Sequence, residues 1–594
     1  MTTHRFSVPD LSRRLLAPIA ALLGLVAGLS VLILPSPAPT TASPTEFSAE
    51  RAMASINRLA DEPHSVLRRE AHDRARDDVI GMFTDLGYTA DVHSDPLFDF
   101  SIPEDKETFD MLSTEQQAAV KDAPAETIVV DVPGKSERTM ALMAHYDSAT
   151  VEADENGHQH ITDGTSPGAS DDGYGVAAIV ETLRALKAEG RQPENSLKIV
   201  ITDAEEIGLI GARNEMQHHR ADYENVDLVL NLEARGTSGP AFMFETSPNN
   251  SAVAGYFLSH VKQPVSSSLL PSLYARMPNG TDMNVLIPKG FTVLNIAAIG
   301  EAEHYHHATD APRYVDHSTL QHYGDQVLSL TRAWAFDGQA PTLTADGDLH
   351  FFQLWRGLTV RYPAAVGTGL GCLAVIAALG AVAMRARSLR WKRVLGTVWG
   401  LTWRSALASA AAGLVQLGAM AMKWAPESGL GPNPLLPWMF AGGALIGVGL
   451  TVRFVVRRWK EGLGQEAVAA VLLLLAAACI PLMVLLPGAA YVLVLPTLAL
   501  ALTALAPQRM RPVVGALAAF IIVVIFAPTV LLIHELLSLG AVWATVFFAI
   551  VPVAPLALVL LQAGSRRTQR TTARTSSRPD AALDSAAGPA TATA

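Results

Sequence analysis

The 594-residue chain has two cysteines, Cys372 and Cys479, and both lie inside long apolar runs. No disulfide framework and no cysteine metal site is therefore open to the rest of the chain. Net positive charge is lacking too: 45 Lys and Arg stand against 56 Asp and Glu, a formal charge of −11. That balance argues against a nucleic-acid partner. Charge is scarce within the apolar runs themselves, where Arg404, Arg453, His534 and Glu535 come closest and all sit near run ends. Transport paths place ionisable groups inside spans, so anchoring is the simpler reading of these runs, with a binding or partner role left open.

What the second half does have is length of apolar sequence. About 20 apolar residues cross a bilayer core as a helix, and such runs occur at 15–34, 363–384, 403–422, 435–456, 467–486, 489–506, 513–533 and 539–562. The first follows Arg5, Arg13 and Arg14 and is either a cleaved signal or an uncleaved anchor. It exceeds the usual signal core of about 7 to 15 residues, which favours the anchor. Arg385, Arg387, Arg390, Lys392 and Arg393 follow the second run, Arg457, Arg458 and Lys460 the fourth, Arg509 and Arg511 the sixth, and Arg566, Arg567 and Arg570 the eighth. This alternation predicts a multi-pass cell-membrane protein with both termini cytoplasmic and residues 35–362 outside. The expected divisions are a cytoplasmic N-terminus and first anchor (1–34), a stiff Pro-rich linker (35–45), an exported domain (46–345) and a connector (346–362). A seven-span region (363–564) and a disordered cytoplasmic tail (565–594) follow.

Within 46–345, short apolar runs alternate with helical patterns. The runs 139–147, 197–202, 227–233, 240–245 and 291–299 read as strands, and 173–190 reads as a helix. Nearly continuous apolar strands separated by helices predict an α/β domain whose mostly parallel mixed sheet is covered on both faces, with enough strands for a core of its own. Ligands of such sheets gather beyond the carboxyl ends of the strands. Polar residues stand there: His145 and Asp147, Asp171 and Asp172 before the helix, Glu205 and Glu206 in "DAEEIGLIGA", Glu233, and "EHYHHATD" at 303–310. Singly, an Asp before a helix is an ordinary cap. Adjacent glutamates at a strand end either raise each other's pKa or need a cation between them.

The motifs "AHYDS", "PGASDDGYG", "DAEEIGLIGA", "NLEARG", "NGTD" and "YHHATDAPRYVD" occur in this order. Over residues 50–340 the sequence resembles the zinc-dependent exopeptidases of peptidase family M28, and its layout is similar to the membrane-bound group with a multi-span tail. The resemblance implies a three-layer α/β/α zinc exopeptidase domain joined to an α-helical transmembrane bundle. It implies two Zn²⁺ per chain, one held by His145 and Glu233, the other by Glu206 and His306, with Asp171 bridging. Glu205 would be the general base and acid, and Asp147 would orient the His145 ring. The expected partners are a peptide substrate and membrane lipid, with aminopeptidase-type hydrolysis of exported or extracellular peptides leading. A single-zinc acyltransferase of glutaminyl-cyclase type and a non-catalytic receptor or scaffold are the alternatives. Many family members carry Asp where this chain has Glu233. The family's pattern implies His306 rather than His307, since it lies four residues before Asp310 and follows Tyr305, and neighbouring rings on an extended segment point to opposite faces, so only one reaches the ion. Arg235 and Arg276 are candidates for a substrate carboxylate, Asp282 for a turn or a supporting role, and 98–125 for a lid or a mere insertion.

Overall fold

The computed structural model describes residues 8–153, 159–277, 280–421, 436–537 and 542–564. The expected tail 565–594, residues 1–7 and the Asn279 of "NGTD" lie outside the described residues. Seven strands form the main sheet: β1 (Asp91–Pro96), β2 (Pro124–Val132), β3 (Ser136–His145), β4 (Asn195–Thr202), β5 (Val226–Ala234), β6 (Ser238–Thr246) and β7 (Val293–Gly300). Their order is β1-β2-β4-β3-β5-β7-β6. The central four, β4, β3, β5 and β7, run parallel, and antiparallel pairings add β2 and β1 at one edge and β6 at the other. All five expected strands are present. β1 and β2 add two more; β1 is an exposed polar edge strand, and such a strand needs no apolar pattern.

The pleat sends alternate residues to opposite faces. Met140, Leu142, Ala144, Ile199, Ile201, Leu228 and Leu230 face a core shared with helices Ala49–Leu59, Arg69–Asp85, Gly173–Ala188 and His317–Phe336. Ala141, Met143, Val200, Val229 and Val293 face the opposite layer, where helix Ile210–His218 supplies Ala212 and Met216. Burial on both faces explains why these strands read as unbroken apolar runs. The expected three-layer architecture is thus borne out.

Two connecting segments carry structure of their own. The Pro-rich stretch is strapped to the domain: Gln321 Oε1 accepts the Ala38 N–H at 2.9 Å, and Arg51 donates to the carbonyls of Thr40 and Ala42. The connector 346–362 contains a hairpin, β8 (Leu349–Trp355) and β9 (Leu358–Pro363).

The helices on the apolar runs form a bundle: Val8–Ser30, Ala364–Ala383, Trp391–Ala421, Leu436–Lys460, Gly464–Leu485, Tyr491–Leu505, Arg511–Leu537, Val542–Ile550 and Val553–Gly564. They fall on the eight apolar runs. Among the described residues, four segments are long and apolar enough to cross a membrane: Ala364–Ala383, Gly464–Leu485, Arg511–Leu536 and Val542–Gly564. Leu22, Ile376, Trp399, Leu445 and Val484 are exposed on the bundle, as expected where the surrounding solvent is lipid. The first helix packs on Arg511–Leu537 through Gly24 and Gly28, where an added Cβ would come within 2.8 Å of the Phe520 carbonyl and 3.0 Å of Pro528. Small residues spaced this way let helix backbones approach closely in a bilayer.

A second core joins domain and bundle. Phe242, Phe244, Leu269, Leu270, Ile299 and Phe352 cluster with Tyr491, Phe526 and Leu532. Phe352 and Tyr491 stack at 4.8 Å, Ser268 donates to the Gly488 carbonyl at 2.7 Å, and Arg276 to that of Leu485 at 2.8 Å. A fragment of residues 46–345 therefore leaves an apolar face uncovered, contrary to a self-sufficient domain. It is expected to fold but to self-associate in buffer without detergent, as read by light scattering. A monodisperse monomer would contradict the shared core.

Candidate functional site

Each chemistry-bearing side chain is delivered by a strand end or by the turn that follows it. His145 ends β3, Glu233 lies next to the end of β5, and Glu205–Glu206 occupy the turn between β4 and helix Ile210–His218. Asp171 and Asp172 precede helix Gly173–Ala188, and Asp172 is its N-cap, accepting the Gly175 N–H at 3.0 Å. The other Asp172 oxygen accepts the His145 N–H at 3.3 Å, tying the helix start to β3. His306 lies in the turns after β7 with φ of 59°. It is therefore left-handed, and the extended geometry expected there does not hold; this kink turns its ring inward.

Asp171 stands at the centre. Its Oδ1 is 3.3 Å from His145 Nε2, and its Oδ2 is 3.3 Å from His306 Nε2. His306 Nε2 is also 3.1 Å from Glu206 Oε2. Three triads able to hold a cation overlap here, each with donor atoms within 4.8 Å of one another: His145, Asp171, Glu233; Asp171, Glu206, His306; and His145, Glu205, Glu206. One carboxylate thus faces both imidazoles, with a glutamate beside each.

Several groups hold this arrangement. The Asp147 carboxylate accepts the backbone N–H of Glu205 at 3.0 Å and of Glu206 at 3.2 Å, while its carbonyl is 2.9 Å from His145 Nδ1. Asp147 therefore fixes the ring through its backbone and the glutamate turn through its side chain. Asp310 accepts from the Ser170 N–H and hydroxyl at 2.8 and 2.6 Å and from the Asp171 N–H at 3.2 Å. Asp282 accepts the Thr202 hydroxyl at 2.6 Å and is buried behind the end of β4, a supporting place rather than a surface turn. The supports from Asp310 to Ser170 and from Asp282 to Thr202 join residues far apart in sequence, so no spacing announced them.

The electrostatics show what the cluster needs. Burial, then the nearby Glu233 charge, drives the Glu205 carboxyl well above its ordinary range. Burial likewise raises Glu206 and Glu233, and pushes Asp282 to about 6. Burial would raise Asp171 as well, yet its hydrogen bonds with His145 and His306 hold it below the usual value. Burial disfavours a charged His306 ring, but Glu206 and Asp171 outweigh it and lift the ring to about 10. Glu206 Oε1 is buried with no hydrogen-bond partner. Buried polar atoms are normally satisfied, and buried carboxylates are paired or bind metal. The donor set, imidazole nitrogens and carboxylate oxygens without thiolate, suits zinc.

Residues 127–331 match the model of peptidase family M28. The chain carries an M28 domain. Among curated proteins, endoplasmic reticulum metallopeptidase 1 of Mus musculus is 27% identical over 221 residues, covering 36% of this chain and 24% of that protein. The vacuolar membrane protease of Lodderomyces elongisporus is 28% identical over 202 residues, covering 33% of this chain and 19% of that protein. The match thus spans about a quarter or less of these relatives' length. A glutaminyl cyclase structure from Porphyromonas gingivalis overlays with 18% identity and a TM-score of 0.37, covering 48% of this chain and 98% of its own.

Around the M28 domain's carboxylates lies a pocket of about 290 Å³, lined by Arg235, Phe244, Leu270, Ile299 and Tyr305 besides the acidic groups. Of the two expected arginines, Arg235 reaches this pocket, its guanidinium 5.9 Å from the Tyr305 ring centre. Arg276 does not: it faces the bundle and the Leu485 carbonyl. The segment 98–125 does not cover the pocket either. Phe98, Leu112 and Val120 pack on Ala204, Ile207 and Ile210, and Asp105 pairs with Arg213, so the segment buttresses the glutamate turn from behind. A separate group, His93, Glu215 and His219, lies away from these residues, with His219 2.9 Å from Asp95.

A cation that binds only the native cluster stabilises the fold by mass action. Chelation is therefore expected to lower Tm and zinc to restore it along a saturable curve, by about 2.7 kcal/mol at a hundred times Kd. A Tm indifferent to both would contradict the cation site.

Proposed function

We propose that this protein is a membrane-anchored dizinc exopeptidase, of aminopeptidase type, acting on peptides outside the cytoplasm. The observation that carries the reading is the double facing of Asp171, one oxygen toward His145 and the other toward His306, with Glu205 close by. In this reading His145 and Glu233 would hold one ion and Glu206 and His306 the other, with Asp171 serving both. Zinc in such a pair supplies Lewis-acid polarisation of the scissile carbonyl and acidifies a water. Glu205 takes the proton released as water attacks and delivers it to the leaving amine nitrogen, a role helped by a carboxyl already raised by burial. Asp147 keeps the His145 ring and the Glu205–Glu206 turn in register while this happens. The completeness of both donor groups weighs against a single-zinc acyltransferase, and retention of the base against a non-catalytic scaffold.

The topology belongs to the same proposal: both termini cytoplasmic and the M28 domain outside. It is supported by Arg390 pairing with Glu466, and by Arg385 donating to the Ala504 carbonyl. These basic residues gather at one end of the bundle, while Gly488 and Leu485, at the other, receive the domain.

Glu205→Gln keeps the side-chain shape without its proton chemistry. It is expected to lower kcat by on the order of 10²–10⁴-fold while zinc content stays at the wild-type level. Retained turnover would remove Glu205 from the mechanism. His306→Ala should reduce zinc from two ions toward one, whereas His307→Ala should keep both. The reverse pattern in metal analysis would shift the ligand assignment by one residue.

A further inference from the structure

The pocket beside the carboxylates is not the only cavity near the site. A second, of about 650 Å³, lies among the helices of the bundle, and its wall is mostly aliphatic and aromatic, including Leu475, Leu482, Val492, Phe526, Ile533 and Phe547, with Arg276 at it too. Three residues line both spaces: Leu273 and Met277 from the M28 domain, and Leu536 from the Arg511–Leu537 helix. These three shared residues set the pocket and the bundle cavity against each other. Polarity falls along this path. Asp171, Glu205, Glu206 and Glu233 stand at one end, with the unpartnered, buried Arg235 Nε near them. Phe244, Leu270 and Ile299 line the same pocket, and beyond the shared residues the bundle cavity is mostly apolar.

Protein interiors are close-packed, and an unfilled void forfeits the dispersion contacts of its lining. Both cavities fall near the size range of small-molecule sites. A fully polar peptide would gain nothing from the apolar one. We infer that the substrate is an amphiphile, an amide or peptide whose cleavable end carries a long hydrocarbon chain. The scissile bond lies at the carboxylates and the chain passes between Leu273, Met277 and Leu536 into the bundle. The inference rests on the hydrolase reading and assigns the bundle a part in specificity beyond anchoring. The chemistry remains hydrolysis: the C–N bond breaks, the water oxygen goes to the acyl carbon, and its proton goes to the amine. The chain can be the side chain of an amino-terminal residue or an acyl group on nitrogen, and the apolar path serves either.

The test uses full-length protein in phosphatidylcholine nanodiscs with two substrate series of increasing chain length: α-amino acid anilides with linear side chains, and N-acyl glycines. In one series kcat/KM should rise by on the order of tenfold or more from shortest to longest, since each buried methylene adds to transition-state binding. The series that responds identifies the source of the chain. The long-to-short ratio should fall toward one in Ala478→Trp and Ile533→Trp, which fill the bundle cavity. If these variants do not reach the membrane, Ala478→Phe and Val492→Phe take their place. A ratio that is flat with chain length, or that the plugs leave intact, overturns the inference while the hydrolase reading stands. If neither series is cleaved, the hydrolase reading fails and binding decides the inference. Saturable binding of dansyl-labelled dodecanoyl glycine, lost in the plugged variants, would support the apolar path, and no saturable binding would overturn it.

Discussion

Buried negative charge at the carboxyl ends of the central strands is the constraint on which this molecule turns. The carboxylates of Asp171, Glu205, Glu206 and Glu233 are withdrawn from water within reach of one another. Left uncompensated, such a cluster costs several kcal/mol per ion. The surrounding hydrogen bonds therefore restrain the backbone of the acids more than they neutralise the acids. Asp147 and Asp310, themselves carboxylates, accept main-chain N–H groups from the turns carrying Glu205, Glu206 and Asp171. The fold fixes where the acids are, and leaves their charge to be met by the two imidazoles and by cations.

The second organising feature is the core shared between the M28 domain and the helical bundle. β6, β7 and helix Leu269–Tyr274 send Phe244, Leu270 and Ile299 both toward the pocket beside the carboxylates and into the cluster formed with the bundle. Anchoring and pocket formation are thus done by the same side chains. A hairpin between domain and bundle strengthens the joint through Phe352 and Tyr491.

Much of this was legible in the sequence. The central strands announced themselves because burial on both faces leaves little but apolar residues between turns. His145, Asp171, Glu205, Glu206, Glu233 and His306 stood out as polar residues just beyond those strands, and they do converge. His306, preferred for its spacing to Asp310, is the ring that meets Asp171, and a left-handed backbone there rather than strand alternation aims it. What stayed hidden is long-range or one-sided. Polar β1 carries no apolar signature because it is an exposed edge. The strapping of 35–45 depends on Gln321 and Arg51, remote in sequence or outside the linker. The apolar face on β6 and helix Leu269–Tyr274 read as ordinary core sequence, since a residue buried against another unit looks no different from one buried in its own.

The central proposal is that one carboxylate, Asp171, would serve two metal ions. Diffraction from crystals of the full-length protein grown with zinc, recorded on both sides of the zinc absorption edge, tests it most directly. The account predicts two anomalous peaks about 3.5–4 Å apart, one among His145, Asp171 and Glu233 and the other among Asp171, Glu206 and His306. A single peak, or two peaks that do not share Asp171, would contradict it.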